Sequence, residues 1–433
     1  MTEPDGHARA ARTGGSARRP VLLIVHSYYD EDPRVRREAE ALALSGRPVE
    51  VIGLRRDGDE PEGELAGVRV HRLDVQRHQG AGLVTYLREY LDFGARAGWR
   101  AWRVHRRRPV GLVQVASLPD FLVFAALPLR LAGVPVILDL HEAMPEFFRS
   151  RFPRSAHPVL QWILRLQERL SISFSTITLS VNDAMRDRLL SLGIPSRHLV
   201  VVPNVPSMAR FDRTRHPTRT FGDGGVVRVV YTGALTPIYE LDVALRAVDL
   251  VVRTRPDLDL RFDIYGRGDS EAELGRLARE LGLDEVVRFH GRIPMDEVPA
   301  VLAGADIGLA PTRLDPFTTM TISTKVWEYA AMGKAVVASR LPLVERTFPP
   351  GSVTIYESGN PASMARSIER LIDEPRERER AIEVAAEAVG DTSWEAESVR
   401  YVALVERLAI DGVRRRRRGH TAGPADQATP SSR

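Results

Sequence analysis

The stretch ADIGLAPTRLDPFTTMTISTKVWEYAAMGKAVVAS, residues 305–339, predicts a strand, a loop, a helix and a second strand. Two strands joined through a helix are normally parallel neighbours in one sheet. The same alternation extends in both directions along the chain, which predicts an α/β fold. Strands are expected at 21–26, 49–54, 111–115, 135–140, 174–179 and 199–202, and then at 226–232, 259–265, 286–290, 305–310, 335–339 and 353–356.

The two series of strands predict two doubly wound, Rossmann-like domains that face each other across a cleft. The first domain is expected over 20–206 and the second over 226–390, with a polar linker at 207–225. A further helix is expected over 391–412. Residues 1–19 and the basic tail 413–433 contain too little apolar surface to offset the entropy of ordering and are expected to be disordered.

Composition excludes several classes of protein. The chain has 433 residues, of which 43% are hydrophobic and 27% charged, and its formal net charge is +4. It has no cysteine, which excludes disulfide scaffolds and thiol catalysis. No apolar run of membrane-spanning length or secretory signal is found, so a cytoplasmic protein is expected. The basic residues do not alternate with aromatic ones, and a nucleic-acid partner is not expected.

Glycines follow two of the strands in the second half. Gly233 ends the strand 226–232, while Gly266 and Gly268 follow the strand 259–265. Glycine at the carboxyl end of a parallel strand lets the backbone approach a ligand closely, although it is also common in strand–helix turns. The second turn lacks the third glycine of the dinucleotide-binding motif.

The helix predicted from residue 324 combines several features of an anion site. Ser323 or Thr324 can cap it, and Lys325 lies beside its first amides, where a phosphate can bind. Glu328 follows one turn later and can accept hydrogen bonds from a ribose diol. The alternative is a capped helix with a surface Lys–Glu pair. Only two lysines, Lys325 and Lys334, occur among 61 basic residues, which favours a specific use for the first.

Polar residues also follow the strand 135–140, where His141 and Glu142 are expected to point into the cleft. His141 is the candidate for contact with a reacting group, although a lone histidine is more often structural. Arg34, in the first turn of the first helix, either binds an acceptor phosphate or lies on the surface. Residues 88–108 contain seven arginines and two tryptophans. They predict either contact with an anionic membrane or a solvated basic face over core tryptophans.

Seven motifs in this order resemble the GT-B glycosyltransferases of the family-4 type, across roughly residues 20–412. The resemblance is closest to bacterial enzymes that build capsule, exopolysaccharide or cell-envelope glycans. The motifs are D-x-H-E at 139–142, V-V-P-N at 201–204, Y-T-G-A-L at 231–235, Y-G-x-G at 265–268, F-x-G-R-I-P at 289–294, A-D-I-G-L-A-P at 305–311 and S-T-K-V-W-E-Y-A-A-M-G-K at 323–334.

The resemblance implies a retaining, metal-independent hexosyltransferase with no cofactor. It also implies that the first domain (20–206) binds the acceptor, that the second (226–390) binds the nucleotide sugar, and that the helix 391–412 crosses back to the first domain. Its donor would be a nucleotide-diphosphate sugar, and its acceptor a glycan or a lipid-linked molecule, which adds peripheral membrane association to the expected location. His141, Lys325 and Glu328 would be the catalytic residues. The expected donor-binding residues are Gly233, Gly266, Gly268, Arg292, Ile293, Ser323, Thr324, Lys325 and Glu328.

The sequence also departs from the family pattern. Met320 stands where the family has the first glutamate of its E-x7-E motif, and the loop 235–240 lacks the usual cation. Lys325 is expected to supply that charge, with Arg313 as a second candidate. Two alternatives therefore stay open: a catalytically impaired accessory subunit, and a GT-B sugar-nucleotide epimerase.

Overall fold

The computed structural model describes residues 18–76, 82–152, 157–217, 219–390 and 392–420. Of the ends expected to be disordered, residues 1–17 and 421–433 lie outside these ranges. The described residues form two α/β domains, each built on one largely or wholly parallel sheet. This architecture confirms the predicted fold class.

The first domain contains an eight-stranded sheet in the order β3-β4-β2-β1-β5-β6-β7-β8, in which only β3 is antiparallel to its neighbour. The sequence did not predict the hairpin formed by β3 and β4. The strands are β1 (Val21–Ile24), β2 (Val49–Leu54), β3 (Glu62–Leu65), β4 (Val68–Leu73), β5 (Leu112–Ala116), β6 (Val136–Leu140), β7 (Ile177–Ser180) and β8 (Leu199–Val201). The helices are α1 (Pro33–Leu44), α2 (Leu83–Arg107), α3 (Leu127–Leu131), α4 (Met144–Arg151), α5 (Pro158–Phe174) and α6 (Asp183–Ser191).

The second domain contains a parallel sheet in the order β11-β10-β9-β12-β13-β14. The strands are β9 (Val226–Thr232), β10 (Asp259–Tyr265), β11 (Val287–Gly291), β12 (Ile307–Ala310), β13 (Ala335–Ser339) and β14 (Thr354–Tyr356). The helices are α7 (Leu241–Thr254), α8 (Glu271–Glu280), α9 (Val298–Ala303), α10 (Thr324–Ala331), α11 (Pro342–Thr347), α12 (Pro361–Asp373) and α13 (Pro375–Gly390). Strand order reverses at β1/β5 and at β9/β12, where ligand crevices form in such sheets.

The last helix, α14 (Trp394–His420), packs against the first domain. The Tyr401 hydroxyl donates to Gln114 Oε1 at 2.8 Å, and the Trp394 amide donates to the Pro206 carbonyl at 3.0 Å. The helix continues eight residues beyond its predicted end at 412, so residues 413–420 are helical rather than a disordered tail. Among the described helices, none is both long and apolar enough to cross a membrane.

Candidate functional site

A cleft of about 1070 Å³ separates the two domains and is lined by residues of both. Its second-domain wall consists of the carboxyl ends of β9 and β10, the loop after β11 and the start of α10. These elements bring together most of the residues that the sequence assigned to donor binding. The predicted residues that line the cleft are Gly233, Gly266, Arg292, Ile293, Thr324, Lys325 and Glu328.

The glycines after β9 and β10 allow two loops to touch through their backbones. A Cβ on Gly266 would overlap the Gly233 carbonyl oxygen, and one on Gly268 would overlap the Leu235 carbonyl oxygen. Gly233 and Gly266 adopt φ values of 142° and 146°, which disfavour any other residue. Gly268 does not line the cleft. It affects the cleft indirectly, because it allows close contact with Leu235 in the loop that contains Gly233.

Lys325 lies in the first turn of α10, directly beneath Gly233. A Cβ on Gly233 would lie 2.7 Å from Lys325 Nζ. The ammonium is 3.9 Å from the centre of the Tyr239 ring and 5.2 Å from that of Tyr231. Burial lowers the pKa of Lys325 to about 8, against the opposing effect of Glu328. The site thus holds a compact cation at a helix N-terminus with little solvent around it.

Glu328 lies one turn further along α10 and also faces the cleft. Burial raises the pKa of its carboxyl, and the charges of Lys325 and Arg37 together with the Thr324 hydroxyl oppose that shift. Arg37 comes from the first domain, so both domains set the charge state of Glu328. Ser323 occupies the N-cap of α10, but its side chain makes no capping hydrogen bond, contrary to one of the predicted capping arrangements.

The first-domain wall contains arginines that sequence reasoning missed. Arg37 donates to the Val205 carbonyl at 2.5 Å and to the Asn204 side chain, and it stacks 5.0 Å from the Trp394 ring centre. Burial, with the nearby charge of Arg34, lowers the pKa of Arg37 to about 10. Arg36 also lines the cleft. Arg36 and Arg37 could have been identified from the sequence by their positions next to Arg34 in the first helix.

Arg34 itself does not reach the cleft, and its expected contact with an acceptor phosphate is wrong. Its side chain is 3% exposed, and its guanidinium forms a two-point ion pair with Asp139, with Nη2 2.7 Å from Oδ1. It also donates to the Val202 carbonyl at 2.9 Å and lies 3.3 Å from Glu38. Arg34 therefore joins α1, β6 and the end of β8 inside the domain.

The Arg34–Asp139 pair positions His141, which follows β6. His141 Nε2 lies 3.0 Å from Asp139 Oδ2, and the His141 backbone amide donates to Ser117 Oγ. Burial alone would lower the pKa of His141, but the charge and hydrogen bond of Asp139 raise it above its usual value. Its side chain is 20% exposed, so the imidazole is accessible at the carboxyl end of β6.

Glu142 and Tyr239 belong to different domains but interact electrostatically. Burial raises the pKa of Glu142 to about 7, and among the described residues its Oε2 is buried without a hydrogen-bond partner. Burial and then the charges of Glu142 and Glu328 raise the pKa of Tyr239 to about 12. No sequence feature pointed to Tyr239 beyond its place in the loop 235–240.

Arg313 and Met320 have structural contacts. Arg313 donates from its side chain to the Pro237 carbonyl at 2.8 Å and from its backbone to the Ile238 carbonyl. It braces the loop 235–240 and is absent from the cleft lining, which contradicts direct contact with a diphosphate there. The Met320 carbonyl accepts a hydrogen bond from Asn182 of the first domain at 2.9 Å, and Met320 packs against the first-domain core.

Two family matches cover most of the chain. Residues 31–205 match the Glycosyl transferase 4-like domain, and residues 227–374 match Glycosyl transferases group 1. The described residues contain no cluster of three or more histidine, aspartate or glutamate side chains arranged to hold a metal ion.

Curated relatives and solved structures agree with these matches. The D-inositol 3-phosphate glycosyltransferase of Pseudarthrobacter chlorophenolicus is 23% identical over 87% of this chain and 92% of its own length. The 2-deoxystreptamine glucosyltransferase of Streptomyces kanamyceticus is 25% identical over 79% of this chain and 89% of its own length.

Among solved structures, the sucrose-phosphate synthase of Thermosynechococcus elongatus superposes with a TM-score of 0.70 at 17% identity, covering 90% of this chain and 99% of that one. The Anabaena protein HepE in complex with UDP-glucose superposes with a TM-score of 0.66 at 14% identity, covering 89% of this chain and 99% of that one. With its two facing Rossmann-like domains and both family matches, the chain belongs to the GT-B glycosyltransferases of the family-4 type.

Proposed function

We propose that this glycosyltransferase transfers a hexosyl group from a nucleotide-diphosphate sugar, with retention of configuration, to a glycan or lipid-linked acceptor of cell-envelope or exopolysaccharide synthesis. The observation that carries the proposal is the pair Lys325 and Glu328, buried one turn apart at the start of α10 and facing the cleft. A cation beside helix amides suits a diphosphate, and a carboxylate one turn away suits a ribose diol.

The charge at Lys325 fits the demand of the reaction. As the bond between the sugar and the diphosphate breaks, negative charge accumulates on the departing phosphate. Because Lys325 and the first-turn amides of α10 are already in place, they stabilise that charge without rearrangement. The anomeric carbon bonds to the acceptor oxygen, and the acceptor proton passes to the released diphosphate.

The carboxyl end of β6 in the first domain supplies candidates for the sugar and the acceptor, although His141 and Glu142 are not among the residues that line the cleft. A protonated His141, held by Asp139, donates a hydrogen bond to a sugar oxygen in this proposal. Glu142, whose Oε2 lacks a protein donor among the described residues, accepts one from an acceptor hydroxyl. Neither group needs a metal ion or a cofactor for that contact.

The donor and the acceptor class are the next quantities to determine. One solved relative is described with UDP-glucose, so UDP-glucose is the first donor to test. Two curated relatives are named for inositol phosphate and aminoglycoside acceptors, so a polyol phosphate and an aminocyclitol belong in the acceptor panel beside envelope lipids.

The test is nucleotide release from UDP-, GDP- and ADP-glucose, with a membrane extract as the acceptor source. Wild type should release nucleotide from one donor, and Glu328→Ala should lose roughly 10- to 100-fold in kcat/KM, since it removes charge-assisted hydrogen bonds. Glu280→Ala, at an exposed carboxylate on α8, serves as the matched control and should be unchanged. The anomeric configuration of the product, measured by NMR, tests retention.

A non-catalytic donor-binding subunit is the second candidate, and Met320 favours it. The position of the first E-x7-E glutamate is occupied here by a residue that packs against the other domain. Tight nucleotide binding with no release from any donor would support this second function. A changed sugar configuration in the recovered nucleotide sugar, with no acceptor product, would instead indicate an epimerase.

A further inference from the structure

Helix α5 has its apolar side facing outward. Its exposed apolar residues recur at helical spacing along one stripe, whereas polar residues face the domain interior. Gln161, Glu168 and Ser171 are buried, while Trp162 is 63% exposed. The exposed stripe consists of Val159, Trp162, Ile163, Leu166 and Leu170. A helix that faced only water would show the opposite distribution.

Helices α2 and α3 extend this surface. Phe93 of α2, Leu129 of α3 and Ile172 of α5 belong to one core cluster, so the three helices cover the same side of the first sheet. Their outward sides carry further exposed apolar residues, and Trp99 is 60% exposed, which contradicts a core position for it. These are Val84, Leu87, Leu91, Trp99 and Trp102 on α2, with Phe124 preceding α3 and Leu127 and Leu131 on it. We call this combined surface the outer face.

The charges of the outer face are strongly unbalanced. Helices α2, α3 and α5 contain nine arginines and only three acidic residues. Two of the acids, Glu89 and Glu168, are buried, and the third, Asp92, pairs with Arg96 at 2.8 Å. Arg103 stacks 4.5 Å from the Trp99 ring centre and Arg130 5.0 Å from that of Phe174, which places cations beside the apolar residues.

The outer face adjoins the cleft through α4. This helix follows the carboxyl end of β6, where His141 lies, and its residues Ser150 and Arg151 bind Asp315 and Asp269 of the second domain. Helix α5 begins at residue 158, shortly after α4 ends. Its first exposed residues, Val159 and Trp162, therefore lie at the cleft end of the first domain.

We propose that the outer face binds an anionic phospholipid bilayer, with the α5 stripe inserted at the interface and the arginines on lipid phosphates. Exposed apolar residues flanked by cations match a bilayer surface, where apolar acyl chains lie beneath negatively charged headgroups. The face extends well beyond residues 88–108. Delivery of a lipid-linked acceptor from the bilayer to the cleft rests on the proposed function, whereas binding to the bilayer does not.

The test is cosedimentation of the full-length protein with phosphatidylcholine vesicles and with vesicles that also contain phosphatidylglycerol. The wild-type protein should bind the anionic vesicles more tightly, and salt should weaken binding. Trp162→Ser/Ile163→Ser should weaken binding roughly tenfold or more, because two inserted side chains are lost. Arg88→Glu/Arg165→Glu should remove the preference for anionic vesicles. Val399→Ser/Ile410→Ser, at exposed apolar residues of α14, is the matched control and should bind like wild type.

Three results would overturn the proposal: no binding to anionic vesicles, binding that the α5 double variant leaves intact, or self-association through this face. Sedimentation velocity detects the last as a dimer that Trp162→Ser/Ile163→Ser dissociates. Failure of the proposed function is distinguishable, since Glu328→Ala should lose nucleotide release yet bind vesicles, and the α5 variant should still bind nucleotide.

Discussion

Replacing Lys325 by methionine is expected to stabilise the protein while it slows turnover. Methionine keeps the length and apolar stem of the side chain and removes its charge. The pKa of Lys325 falls from 10.5 to about 8 on burial, which corresponds to about 3 kcal/mol of destabilisation by the charged form at pH 7. The stacking of the ammonium on Tyr239 offsets about 1 kcal/mol of this. Lys325→Met should therefore stabilise the fold by about 2 kcal/mol at neutral pH.

The stability difference between Lys325→Met and the wild type should depend on pH. The buried charge of Lys325 destabilises the wild type to its full extent below about pH 8, where both the folded and the unfolded protein hold the proton of Lys325. Above that pH the folded protein has lost the proton and the unfolded chain keeps it, so raising the pH stabilises the wild type. The advantage of Lys325→Met should shrink between pH 8 and 10.5 and then vanish. Urea unfolding of both proteins at pH 7 and at higher pH measures it.

Lys334→Met is the matched control, because it changes the other lysine. Burial also lowers the pKa of Lys334 to about 8, but its ammonium donates to the Ala303 carbonyl at 2.8 Å. Losing that hydrogen bond leaves a buried acceptor unpaired and offsets the gain, so its stability should change by less than that of Lys325→Met. Nucleotide release should persist in Lys334→Met and fall roughly 10- to 100-fold in Lys325→Met. A Lys325→Met protein that is less stable than wild type, or that retains full turnover, would refute this reasoning.

Three further predictions concern the fold around the site. Gly266→Ala should lose donor binding, because its Cβ overlaps the Gly233 carbonyl, whereas Gly275→Ala in α8 has room and should bind donor normally; calorimetric nucleotide titration compares them. Arg34→Leu should destabilise the first domain by about 3–5 kcal/mol in urea unfolding, since it removes the guanidinium that compensates the buried carboxylates of Asp139 and Glu38. Asp296→Asn, which weakens the exposed pair with Arg36 between the domains, should cost no more than about 1 kcal/mol in the same assay.

The sequence predicted the parts of this protein that depend on local pattern. Apolar periodicity located the strands of both sheets other than β3 and β4, and Lys325 and Glu328 were found because they lie one helical turn apart. The β3–β4 hairpin was missed because its residues, EGEL and VRVHRL, mix charged and apolar side chains, and β3 is the edge strand. Edge strands bury little, so their pattern is weak.

The errors have a common physical cause, which is contact between distant segments. Arg34 was expected at the surface or on an acceptor, but its partners Asp139 and Val202 lie 105 and 168 residues away. Tyr239 was missed for the same reason. Burial and then the charge of Glu142, in the other domain, raise the pKa of its hydroxyl. For α5, helical spacing predicts an apolar stripe, yet the direction in which the stripe faces depends on what the rest of the domain buries.

Because Glu328 is influenced by Arg37 of the first domain, the donor site described here exists in full only when the domains are close together. Ion pairs across the cleft, such as Arg292 with Glu31 and Arg36 with Asp296, maintain that arrangement. Both pairs include an exposed partner, and such pairs contribute at most about 1 kcal/mol each. These two pairs therefore provide only part of the closure, because Ser150, Arg151 and Asn182 of the first domain also bind residues of the second.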